Sequence, residues 1–135
     1  MNENGGSSPG DVVRAYLRVF ETGQVGDFDT LVADDVECWG ANQHLRGRQW
    51  PAGSVDNPGL SNCRLEVLEL FEAGSRVTVY FRSTYRHDAS GRDIAQTGLK
   101  MYEVEGGKIT RMWGEVDVWG MLQQLGKVPA GISFD

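Results

Sequence analysis

The spacing of apolar positions divides the chain into a helical part and a strand part. From Asp11 to Gly23, the residues Val12, Val13, Tyr16, Leu17, Val19 and Phe20 recur at helical intervals, with Asp11 available as the cap and Gly23 as the stop. Phe28, Leu31 and Val32 form a second, shorter stripe, which predicts a helix from about Asp27 to Ala33 and hence a helical hairpin. A short strand, VECWG (36–40), follows. Pro51, Gly53, Pro58 and Gly59 then break every period over residues 42–62, leaving room for a helix of a turn or two at most. Beyond this segment the pattern becomes that of strands. RLEVLELFEA (64–73), SRVTVYFRSTYRHD (75–88) and RDIAQTGLKMYEVE (92–105) are rich in β-branched and aromatic residues and separated by Gly-containing turns. Gly106 and Gly107 suit a hairpin into KITRMWGEVDVW (108–119). GMLQQLGK (120–127) reads as a short closing helix and PAGISFD (129–135) as a tail. Residues 1–10, MNENGGSSPG, carry no large side chain that could offset their ordering entropy, so a disordered arm is expected before a single domain over 11–128.

Two helices followed by long antiparallel strands predict an α+β architecture. The helices would pack on one face of a curved antiparallel or mixed sheet, wrapping it into a cone-shaped α+β barrel with an internal pocket. Strand alternation then decides which side chains line that pocket. Trp39, Phe81, Tyr85, Leu99, Met101 and Trp113 are expected to face inward, and Tyr16 to present its hydroxyl there. Such residues make either an ordinary core or the walls of a site for a polycyclic or polyene ligand.

The last strand poses a sharper question. With period two, Ile109, Arg111, Trp113, Glu115 and Asp117 share one face, and a bulge at Gly114 would swap the phase of everything after it. If the acids point inward, burial costs several kcal/mol each or raises their pKa, which is tolerated mainly at functional sites. Otherwise they face solvent or pair with Arg82, Arg86 or Arg111. His44, at the end of the first strand region, has a side chain suited to proton transfer if it lines the pocket. His87 is expected near a turn.

Thirteen Lys and Arg against nineteen Asp and Glu give a net charge of -6, which argues against nucleic acid as a partner. No apolar run reaches the roughly 18–20 residues of a membrane span, and the first residues lack the features of a signal peptide, so a soluble, cytoplasmic protein is expected. Cys38 and Cys63 lack CxxC spacing, leaving reduced thiols or a disulfide, and no metal site is expected. GGSSPG and EGG lack phosphate-loop context, so no nucleotide or other cofactor is expected.

The stretch GGKITRMWGEVDVWGMLQQLG, with Gly107, Lys108, Ile109, Trp113, Asp117, Gln124, Leu125 and Gly126, resembles the C-terminal signature of the SnoaL-like polyketide cyclases, a branch of the nuclear-transport-factor-2-like cone fold. The order of the remaining elements resembles that family over roughly residues 11–128. The resemblance implies a cyclase or isomerase of natural-product biosynthesis that needs no cofactor and takes a small hydrophobic, polyketide-like substrate. It implies a homodimer formed through the outer face of the sheet, and it makes Asp117 the general acid/base. Glu115 and His44 are added as candidates from their chemistry. Epoxide opening by Asp117 with Glu115 or His44 is the alternative reaction, and a ligand-binding or dimerisation module the non-enzymatic one. The limonene-type epoxide hydrolases of this fold carry Arg-x-Asp on a middle strand, where this chain has Phe81-Arg82-Ser83-Thr84.

Overall fold

Ser8, three residues earlier than expected, begins the first helix. In this computed structural model, which describes residues 7–129 and 131–132, α1 spans Pro9–Thr22. The Ser8 hydroxyl accepts from the Asp11 N–H while the Asp11 carboxylate accepts from the Ser8 N–H, so Asp11 is the inner half of a capping box. Pro9 sits in the first turn, where its missing N–H costs nothing. Gly10 is buried against the Glu72 carboxylate, with no room for a Cβ. Residues 9 and 10, assigned to the arm from composition, therefore belong to the helix. Residues 1–6 of that arm, and residues 130 and 133–135 of the tail, lie outside the described residues. Gly23, at φ 72°, ends α1 where a left-handed residue is required.

A single 3-10 turn (Val25–Asp27) leads into α2 (Phe28–Leu31), which is shorter than its apolar stripe suggested. Val32 is already extended and fully buried, pairing with Ile109, because a β-branched residue there gains more from the sheet than from one further helical turn. The strand β1 (Val32–Gly40) turns through Ala41 and Asn42, both at positive φ, into β2 (Gln43–Arg46). A two-turn helix, α3 (Gln49–Val55), precedes β3 (Leu60–Ala73), β4 (Arg76–His87), β5 (Arg92–Glu105), β6 (Lys108–Val116) and α4 (Val118–Gln124). The sheet order is β2-β1-β6-β5-β4-β3, with β1 parallel to β6 and every other pair antiparallel. This mixed, curved sheet does not close on itself; β2 and β3 are its edges.

The pairing of β5 with β6 slips between Glu103 and Val104, which leaves Thr110 as the extra residue. Gly114 stays in register opposite Lys100, so the bulge lies four residues before the position expected for it. Its effect is to put Ile109 and Met112 on the same face, turned toward α1, while Arg111, Trp113 and Glu115 share the opposite one. Ile109 and Arg111 are thus separated, contrary to the simple alternation.

The inner face, covered by α1 and α2, carries the core. Tyr16 stacks on Phe28 at 5.0 Å and meets Tyr102 edge-on at 5.6 Å, above Val36, Val77, Val79 and Ile109. Burial of each such side chain contributes about 1.5–3 kcal/mol, and together they fix α1 across the sheet.

Candidate functional site

On the inner face, β5 alternates Ile94, Gln96, Gly98, Lys100, Tyr102 and Val104 toward the helices. Lys100 is the one cation in this series. Its Nζ stands 5.5 Å from the centre of the Phe20 ring and 5.7 Å from that of Phe81. Gly114, opposite Lys100 on β6, makes space for the lysine stem, since a Cβ there would lie 2.8–3.2 Å from its methylenes. Burial pulls the Lys100 pKa below the ordinary lysine value, with the neighbouring Cys38 thiol acting in the other direction. The same burial raises the pKa of the Cys38 thiol and of the Tyr16 and Tyr102 phenols. Tyr16 Oη donates to the Met112 sulfur at 3.7 Å, whereas Tyr102 Oη is sealed without a partner.

Further along the same face the lining turns polar. Tyr85 Oη donates to Gln96 Oε1 at 3.5 Å, Ser83 Oγ donates to the Gln96 carbonyl at 3.4 Å, and Gln96 Nε2 donates to the Asp117 carbonyl at 3.1 Å. The Asp117 N–H donates to the Thr97 carbonyl, so this residue is held against β5 from both sides of its peptide. Its carboxylate caps α4, accepting from the Gly120 N–H at 2.9 Å, and is exposed. The apolar enclosure expected around Asp117 is therefore absent; it stands at the end of β6, beside the polar end of the inner face.

The outer face is built differently. Strand registers align His44, Trp39, Trp113, Met101, Thr78 and Phe71 in one row across all six strands. His44 stacks on Trp39 at 4.5 Å, Trp39 on Trp113 at 5.1 Å, and the Arg76 guanidinium lies 4.9 Å above Trp113. One row away the charges alternate, with Arg46 bonded to Glu37 and Arg76 to Glu103, both at 3.0 Å. His44 Nε2 meets the other Glu37 oxygen, also at 3.0 Å. A groove of about 610 Å³ opens here, lined by Trp39, His44, Leu99, Met101, Trp113 and Glu115 among others.

The ten residues expected to form one site are thus divided by the sheet. Trp39, His44, Leu99, Met101, Trp113 and Glu115 are on the outer face, not inside the cone; the phase of β5 was ambiguous because Leu99 and Met101 are as apolar as Tyr102. Tyr16 and Phe81 do face inward, but as core residues 1% and 4% exposed. Tyr85 is half-buried on the inner face, and Asp117 lies at its end. His87 sits by the β4–β5 turn, its Nδ1 2.7 Å from Ser90 Oγ. Lys100, Cys38, Ser83 and Gln96 were missed, although a lysine in phase with Tyr102 and Val104 is a signal that could have been read. Cys38 and Cys63 are free, half-buried thiols. Among the described residues, no group of three or more His, Cys, Asp or Glu is arranged to hold a metal ion, and no helix is long and apolar enough to cross a membrane.

The family model of the SnoaL-like domain matches residues 13–112, and the chain belongs to that family. The match ends before Trp113, so Gly107, Lys108 and Ile109 of the C-terminal signature lie inside it and Trp113, Asp117, Gln124, Leu125 and Gly126 lie outside. A SnoaL-like polyketide cyclase from Agrobacterium tumefaciens superposes with a TM-score of 0.74 at 22% identity, covering 89% of this chain and 99% of that one. A protein of ketosteroid isomerase-like fold from Catenulispora acidiphila gives 0.76 at 18%, covering 90% and 96%. An epoxide hydrolase of M. tuberculosis, of the LEH-like type, gives 0.72 at 17%, covering 87% and 88%. These likenesses establish the cone fold of the nuclear-transport-factor-2-like proteins. No curated protein matches the chain in sequence.

Proposed function

We propose that this protein is a cofactor-independent cyclase or isomerase acting on a small, apolar, polyketide-like molecule bound against the inner face of the sheet. The observation that carries the reading is the polar line Tyr85–Gln96–Asp117 at one end of a lining that is apolar elsewhere apart from Lys100 and the tyrosine hydroxyls. A substrate lying along β5 would meet apolar walls first and hydrogen-bonding groups last, which orients a flexible chain for ring closure. In this reading Asp117 is the general base. One lone pair of its carboxylate is engaged by the Gly120 N–H, and the remaining ones are open to take a proton from the carbon next to a carbonyl.

The proton step is testable without the natural substrate. In deuterated buffer, the wild type should exchange the α-protons of 1,3-dicarbonyl probes faster than buffer does, followed by NMR, and Asp117→Asn should lose about 10²–10⁴-fold of that acceleration. Exchange at equal rates in the two proteins would remove Asp117 from the mechanism. Epoxide opening is the weaker reading, because Glu115 and His44, its other groups, line the outer groove.

A homodimer through the outer face belongs to the same proposal. Phe71, Leu99 and Tyr80 are 66%, 55% and 40% exposed there, beside the stacked tryptophans. An apolar face of this kind is more often an interface than a free surface. The groove is accordingly assigned to subunit contact, and the inner face to chemistry.

A further inference from the structure

We propose that Lys100 is the anion-recognising group of the cone, receiving a negatively charged oxygen of the substrate, either a carboxylate or the enolate of a 1,3-dicarbonyl. The inference rests on the reading of the inner face as a substrate site and says what class of molecule enters it.

Three features of the lysine's surroundings support it. First, its head is placed between two aromatic rings, and among the described residues it has neither a carboxylate nor a hydrogen-bond acceptor, whereas on the other face of the sheet Arg76 is paired to Glu103 and Arg46 to Glu37. An ammonium group only partly open to water and without a counter-ion is held at a cost, which is relieved when an anion comes to lie beside it. Second, the position is built: Gly114 is the residue across the strand whose missing Cβ makes room for the stem, so the chain keeps a slot for a lysine where an apolar side chain would fill the core more cheaply. Third, the other titratable groups near it supply no negative charge. The Tyr16 hydroxyl donates to Met112, the Tyr102 hydroxyl has no partner, and burial holds both phenols and the Cys38 thiol in their neutral forms. A ligand is therefore asked for an acceptor oxygen.

The spacing fits the proposed chemistry. Lys100 lies three residues along β5 from Thr97, which holds Asp117, a separation of about 10 Å along the strand. A substrate spanning it would place one oxygen at the ammonium group and the carbon that loses a proton near the carboxylate. Lysine would then stabilise the charge that the base creates.

The test uses two matched pairs of probes, measured by calorimetry on the full chain. One pair is 2-naphthoate and its neutral amide; the other is 5-phenylcyclohexane-1,3-dione, an enolate at neutral pH, and its neutral methyl enol ether. Wild type is compared with Lys100→Met, an apolar side chain of similar length, and with Lys100→Arg, which keeps the charge; circular dichroism checks that each is folded. The expected result is that Lys100→Met weakens the anionic member of a pair about 10- to 100-fold, leaves its neutral partner within about threefold, and that Lys100→Arg restores part of the loss. A loss confined to the naphthoate assigns a carboxylate, and one confined to the dione an enolate. Wild-type anion binding should also fall as pH rises through the lowered lysine pKa, with Tyr16 from α1, Cys38 from β1 and Tyr102 from β5 as the other titratable groups facing the site. Equal anion affinity in wild type and Lys100→Met, with the neutral probes still bound, overturns the role of Lys100 and leaves the site intact. Failure of all four probes to bind the wild type overturns the inner-face site as well.

Discussion

At Asp117, capping and the proposed proton transfer would use the same carboxylate, and asparagine separates them. Asn caps a helix about as well as Asp, whereas Ala forfeits the hydrogen bond from Gly120. Asp117→Asn should therefore unfold within about 0.5 kcal/mol of wild type in urea, and Asp117→Ala about 0.5–2 kcal/mol earlier. Tyr102 offers the reverse case. Its sealed hydroxyl has no partner, so Tyr102→Phe should be neutral or stabilising by about 1 kcal/mol, read from the same urea midpoints. Lys100 and its neighbours set opposing pH dependences. A lysine whose pKa is lowered by folding destabilises the native state below that pKa, and the penalty disappears as pH rises toward the ordinary lysine value of 10.5. The raised pKa values of Cys38, Tyr16 and Tyr102 act the other way, since the unfolded chain loses their protons first once pH passes about 9–10. Lys100→Met should thus be more stable than wild type at neutral pH, and the difference between the two should shrink between neutrality and pH 10.5.

Among the elements, legibility followed how strongly one period dominated. The boundaries of β5, the stop of α1 at Gly23 and the Gly106–Gly107 turn were readable because each has a single physical solution; both turn glycines adopt positive φ, at 59° and 79°. The start of α1 was not, because Pro9 and Gly10 carry no apolar signal and earn their place only through the Ser8 cap and the passage of Glu72. The largest error, the face on which Trp39, Leu99, Met101 and Trp113 lie, came from β5 and β6 being apolar on both sides. Alternation fixes relative phase within a strand but not which side α1 covers. The pairing of β1 with β6 contains a further constraint that is invisible along the chain: at Gly40 a Cβ would strike the Gly114 carbonyl oxygen. Gly40→Ala should destabilise the protein by about 1–3 kcal/mol, measured by denaturant titration, although Ala is ordinarily acceptable in a strand.

For the whole molecule, the two faces of the sheet make separable demands, and changes on one should leave the other undisturbed. Leu99→Glu puts a charge in the middle of the exposed apolar face and should convert the proposed dimer to monomer in light scattering behind size exclusion, with probe binding at the inner face retained. A wild type that is already monomeric at tens of micromolar would overturn the dimer. The α+β class and the meander were legible from length and period alone; the assignment of side chains to the two faces was not, because it depends on pairings between distant strands. The parallel junction of β1 with β6 also bears on how the chain folds. Hairpins β3–β4, β4–β5 and β5–β6 join neighbours in sequence, but β1 meets β6 only after a loop from Trp39 to Trp113 has closed, at an entropic cost that local contacts do not repay. The four-strand meander should therefore assemble early and the N-terminal third dock late. The Trp39–Trp113 stack forms only at that docking step, so its fluorescence is a built-in clock for the last event of folding.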